Sequence, residues 1–194
     1  MPKLTLTPHG IKAARAAGCN SSPSKRGKST GWSPATSRRN RDFLKSIDPL
    51  RLDGFSLSLS LTFGRDEPLT PAKLGDVRKK FFDRLNYIGQ SRLHWLIEFQ
   101  RDGTPHFHMI VFFPVHFDVV STITGIERHW LELTAFTGSS HRSQHIVQVH
   151  TLTGWLQYLA KHGARGADHY QRSMPTGWET PGRMWGKSGE WPTS

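Results

Sequence analysis

Nine consecutive residues, Phe55-Ser56-Leu57-Ser58-Leu59-Ser60-Leu61-Thr62-Phe63, alternate apolar and polar without a break. That is the period-2 signature of a strand with one buried face. Phe55, Leu57, Leu59, Leu61 and Phe63 share the apolar side; the serines and Thr62 share the other, which is expected to be wet. From Pro71 to Asn86 the period lengthens to that of a helix, with Leu74, Val77, Phe81, Phe82 and Leu85 as its stripe. Thr70 is the expected N-cap, Pro71 the first helical residue and Gly89 the stop. Two strands follow, Leu93 to Gln100 and His106 to Phe113, joined by Arg101-Asp102-Gly103-Thr104-Pro105. The Asp-Gly pair in so short a link predicts a hairpin. Asp118 is placed to cap a helix from Val119 to Ala135, Gln144 to His150 reads as a strand, and Thr151 to His162 as a helix stopped by Gly163. The order β-α-β-β-α-β plus a last helix predicts an α+β fold of ferredoxin-like character, a central antiparallel sheet with helices on its apolar face.

The flanks read differently. Residues 1–50 are polar and rich in Ser, Gly and Pro, and they predict a flexible basic arm that cannot bury enough apolar surface to offset its chain entropy. Residues 51–165 form the expected domain, and 166–194 an irregular Gly- and Trp-rich extension of it. In that extension Trp178, Trp185 and Trp191 either cover the core or stack on bases.

Charge sharpens this division. The 194 residues carry 26 Lys and Arg against 15 Asp and Glu, a net charge of +11. Residues 1–50 hold ten of the bases and two of the acids, a balance of +8 that leaves +3 for the rest. A basic arm on a nearly neutral body points to a polyanionic partner, of which nucleic acid is the commonest. Arg38, Arg39 and Arg41 form a candidate phosphate-binding patch, and Arg101 and Arg165 are further DNA-contact candidates. A single cysteine, Cys19, excludes an internal disulfide framework. No apolar run is long enough to span a bilayer, so a cytoplasmic protein without a membrane partner is expected.

The candidate chemistry lies on the hairpin. His106 and His108 fall on one face of their strand, roughly 6.5 Å apart along the chain. On the preceding strand Trp95, Ile97 and Phe99 take the apolar face, which puts Glu98 on the polar one. Paired opposite His106 or His108, Glu98 converges with both; paired opposite Phe107, it points away. The apolar sets favour convergence. One carboxylate with two imidazoles suits Mg²⁺ or Mn²⁺, while a His-x-His pair on a solvated strand is the alternative. On the last expected helix Tyr158 and Lys161 share a face. A tyrosine hydroxyl, with a pKa near ~10, attacks only when it or its target is activated; otherwise Tyr158 is a half-buried aromatic of an amphipathic helix.

Taken in order, Leu59-Ser60-Leu61-Thr62-Phe63, Pro105-His106-Phe107-His108 and Tyr158-Leu159-Ala160-Lys161 resemble the three motifs of the HUH endonucleases, especially the rolling-circle replication initiators of small plasmids and single-stranded DNA phages. The resemblance spans about residues 55–163. It implies a single-tyrosine nickase that cuts single-stranded DNA or an origin hairpin, leaves a 5′-phosphotyrosine and a free 3′-hydroxyl, and later rejoins the strand. By the same resemblance Glu98, His106 and His108 hold Mg²⁺ or Mn²⁺, Tyr158 attacks and Lys161 assists. The second tyrosine of some relatives is replaced here by His162. No Gly-x-x-x-x-Gly-Lys-Ser/Thr motif is present, so a host helicase and polymerase are implied as partners. A transposase or mobilisation relaxase with the same chemistry, and a non-catalytic nucleic-acid-binding module, are the competing readings. A structural zinc protein is disfavoured by the single cysteine.

Overall fold

The computed structural model describes residues 3–7 and 10–14 by their backbone, and 31–151, 165 and 169–193 in full. In chain order the elements are β1 (Lys3–Thr7), β2 (Gly10–Ala14), α1 (Pro34–Ser46), β3 (Phe55–Thr62), α2 (Pro71–Ile88), β4 (Arg92–Phe99), β5 (Pro105–Phe113), α3 (Val119–Thr134), β6 (His145–Gln148) and β7 (Trp185–Ser188). β1 and β2 form an antiparallel pair of their own. The other five strands make one antiparallel sheet in the order β6-β3-β5-β4-β7. This is the α+β architecture that the periodicities predict. The helix expected over 151–162 lies outside the described residues.

Local signals place the two central helices. Thr70 Oγ1 accepts from the Lys73 amide at 3.2 Å and Asp118 Oδ1 accepts from the Ser121 amide at 2.7 Å, each satisfying a donor at a helix start. Gly89 ends α2 at φ +100°, a conformation that a side chain would strain. Both helices press their stripes on one face of the sheet. Trp130 of α3 packs edge-on against Phe63 and Phe107 of the sheet side and against Phe81 of α2, at ring distances of 4.9, 5.7 and 5.1 Å.

The opposite face is not wet. Ser56, Ser58, Thr62, His94, Glu98 and His108 all point to that side and all are buried. The cover comes from segments that the sequence pattern left without structure. Within the expected basic arm, residues 34–46 are helical: Ser33 Oγ accepts from the Thr36 amide, and Ser37, Asn40 and Leu44 turn inward. That inward stripe is mostly polar, so a search for apolar periodicity passes over it. Its polar members meet polar groups of the layer beneath, Asn40 Oδ1 at 2.7 Å from His94 Nε2 and Ser37 Oγ accepting from Arg172 at 2.6 Å. The C-terminal extension adds β7 to the sheet edge beside β4. Trp178 and Trp191 are buried; Trp191 meets Phe112 edge-on at 5.6 Å, and Trp185 stacks with Phe43 at 6.2 Å. All three tryptophans pack within the fold. Among the described residues no helix is long and apolar enough to cross a membrane.

His94 sits at the centre of this second layer. Burial, reinforced by the charge of Lys187, pulls its pKa from 6.5 to about 3. The native state therefore keeps a neutral imidazole where the unfolded chain takes up a proton. Stability is complete above pH 6.5 and falls as pH drops toward 3, by about 1.4 kcal/mol per pH unit from this group. Urea denaturation at pH 7.0, 6.0 and 5.0 should show that decline, and His94→Gln should flatten it.

Candidate metal centre and nucleic-acid interface

Register decides what the hairpin can do. Glu98 stands directly opposite His106 and Leu96 opposite His108, so the carboxylate and both imidazoles share one face. On the other side of β5, Thr62 lies opposite His106 and Ser60 opposite His108. Thr62 Oγ1 is 2.5 Å from His106 Nδ1, and Ser60 Oγ is 3.4 Å from His108 Nδ1. The two rings sit edge to face with centroids 4.5 Å apart. In the tautomer in which each Nδ1–H donates to its hydroxyl, Nε2 keeps the lone pair that a metal ligand needs. The polar phase of β3 thus serves to orient the histidines.

Glu98 is 0% exposed. Its Oε2 lies 2.7 Å from Arg165 Nη1 and 3.7 Å from His108 Nε2, and its Oε1 lies 3.6 Å from Arg172 Nε. Arg172, also fully buried at its side chain, donates to Ser37 Oγ at 2.6 Å and to the Arg165 carbonyl at 2.5 Å. Its guanidinium covers the Trp32 ring at 4.0 Å, and Trp32 Nε1 donates to the Ile97 carbonyl at 2.8 Å. Burial lowers the Arg172 pKa, and Glu98 opposes that shift. Arg165 also donates to Gln171 Oε1.

One carboxylate and two hydroxyl-oriented imidazoles are residue types that could hold a divalent cation. Among the described residues, no three His, Cys, Asp or Glu side chains form a ready-made ion cluster. Among the described residues the cationic neighbours of Glu98 are Arg165 and Arg172. A groove of about 500 Å³ opens beside His106, lined by Thr62, Phe63, Gly64, Arg65, Gln100 and Ser143. At its floor the Gly64 amide donates to Thr137 Oγ1 and Ser139 Oγ, and a Cβ on Gly64 would collide with the Thr137 carbonyl.

The candidate phosphate contacts differ in exposure. Arg38 and Arg39 are exposed on α1, whereas Arg41 is half-buried beside Asp42. Arg101 is exposed at the hairpin turn with its guanidinium 5.5 Å from the Tyr170 ring. Arg165 is turned inward on Glu98. Tyr158 and Lys161 lie outside the described residues. Sequence reading missed Arg172 and Trp32, because both act through tertiary contacts that leave no periodic trace. Ser60 and Thr62 were traceable, since they share the phase of the histidines they face.

Because Arg172 is buried against Glu98, removing the carboxylate takes away the anion that faces a buried guanidinium. Glu98→Ala should lower stability by about 3–5 kcal/mol in urea unfolding, and Glu98→Gln, which keeps an acceptor, by less.

The chain matches the family of replication-associated protein ORF2/G2P over residues 56–166. It is 44% identical over 168 residues to the replication-associated protein G2P of Pseudomonas phage Pf3, a match that covers 84% of this chain and 59% of the phage protein. It is 39% identical over 201 residues to a provisionally named replication protein of Xylella fastidiosa strain 9a5c, covering 100% of this chain and 69% of that protein. A similarly named protein of the Temecula1 strain is 38% identical, with 99% of this chain and 73% of that protein covered. The chain therefore spans between 59 and 73% of the length of these relatives. No solved structure matches it.

Proposed function

We propose a function from one premise, that this chain belongs to the replication-associated ORF2/G2P family. The reading is initiation of DNA replication by nicking and rejoining single-stranded DNA at an origin, in the manner of the HUH endonucleases that its motifs resemble. The observation that carries it is the register of the hairpin, which sets Glu98 against His106 and brings His108 to the same face.

In this reading Glu98, His106 and His108 hold Mg²⁺ or Mn²⁺. The bound ion supplies positive charge against the scissile phosphate. Ser60 and Thr62 keep the imidazoles turned toward it. The Tyr158 hydroxyl attacks phosphorus; the new P–O bond forms as the bond to the 3′-oxygen breaks. The phenolic proton passes to solvent and the departing 3′-oxygen takes up a proton. Lys161 adds charge beside the transition state. Attack by a 3′-hydroxyl reverses the step and reseals the strand. Arg38, Arg39 and Arg101, all exposed, serve as phosphate contacts that set affinity without reading sequence. The free 3′-hydroxyl is a primer for a host polymerase, with a host helicase opening the duplex.

The test is a covalent protein–DNA adduct formed with Mn²⁺ and single-stranded DNA from the chain's own replicon. Tyr158→Phe should abolish the adduct. His106→Ala or His108→Ala should reduce it by roughly a hundredfold or more, while DNA affinity is largely kept because phosphate contacts come from Lys and Arg. An adduct that persists in Tyr158→Phe rejects this nucleophile; parallel loss of binding and adduct in the histidine variants rejects their assigned role.

A further inference from the structure

The two oxygens of Glu98 are held in different ways. Oε1 faces Arg172, whose side chain has no exposure and is fixed by Ser37, the Arg165 carbonyl and the Trp32 ring. That contact belongs to the packed interior. Oε2 is the oxygen nearer the histidines, 3.7 Å from His108 Nε2, and it is the one that Arg165 Nη1 approaches at 2.7 Å. Arg165 differs from Arg172 in one respect that matters: its side chain is 28% exposed. Its backbone is tied down through its carbonyl to Arg172, and its guanidinium also donates to Gln171 Oε1. Partial exposure gives this side chain a freedom that the fully buried Arg172 lacks.

Charge gives that freedom a consequence. Among the described residues the buried carboxylate is approached by two guanidiniums, and both oppose the entry of a divalent cation. Withdrawing Arg165 removes one positive charge from Oε2, the oxygen that faces His108, and so lowers the electrostatic cost of a cation there. We propose that Arg165 is an internal competitor of the divalent cation, occupying Glu98 Oε2 in the ion-free protein and giving it up when the ion binds. This rests on the reading that Glu98, His106 and His108 are the cation's ligands. It adds a residue that sets the site's affinity and couples ion binding to the position of the chain at 165. The linkage is reciprocal: whatever draws Arg165 away tightens the ion by the same factor that the ion loosens Arg165.

The experiment is a titration of the full chain with Mn²⁺, reading free ion by its EPR signal and heat by calorimetry, with no DNA present. Arg165→Met keeps the length and apolar stem of the side chain without its charge. Arg165→Gln is the second variant should the first fail to fold, with circular dichroism as the check. Either variant should bind Mn²⁺ about five- to a hundredfold more tightly than the parent chain, and the gain should vanish when His106→Ala is added. Binding that depends on His106 but is unchanged or weaker in both Arg165 variants overturns the competitor role and makes Arg165 a fixed counter-ion like Arg172. Absence of His106-dependent binding in every protein overturns the cation reading itself, and this inference with it.

Discussion

Glu98 lies near the end of β4 with no solvent contact, where an isolated charge is costly. Two guanidiniums approach it, and the second layer of the fold converges on that cluster. Arg172 reaches it from the C-terminal segment, Trp32 lies under Arg172, and Ser37 of the N-terminal helix accepts from the same guanidinium. Segments more than a hundred residues apart in sequence are thus joined over one side chain. Such an arrangement is not selected for stability alone, because well-packed apolar residues would do as well or better. A buried acid next to two oriented imidazoles is better explained by chemistry at that spot.

The first layer has a simpler origin. The alternating apolar phases of β3, β4 and β5 fix the register, and register fixes which polar residues meet. A slip of one residue would send Glu98 to the face of Trp130 and Phe81 and scatter the site. Folding and site assembly are therefore one event on this hairpin. The apolar face that α2 and α3 cover holds the polar face in phase.

The elements with strong local signals were legible: β3 from its alternation, α2 and α3 from their stripes and caps, and the β4–β5 hairpin from Asp102-Gly103. The convergence of Glu98, His106 and His108 on one face followed from phase alone. What the sequence hid was the burial of that face. The stripe of α1 is Ser37, Asn40 and Leu44, and the contributions of Trp32, Arg172 and β7 are single residues or short pieces that make sense only against the assembled sheet. Reading Arg165 as a DNA contact failed to anticipate its place on Glu98 for the same reason: its partner is 67 residues away. Tyr158 and Lys161, read from motif order, lie outside the described residues.

The proposed cation site joins the two layers, since its histidines are set by β3 and its carboxylate by Arg172. Pulsed EPR on Mn²⁺ bound to the ¹⁵N-histidine-labelled chain tests it most directly. The account predicts nitrogen couplings from two imidazoles, both lost when His106 and His108 are replaced by alanine. Bound Mn²⁺ with no histidine coupling, or with coupling that survives those replacements, would contradict it.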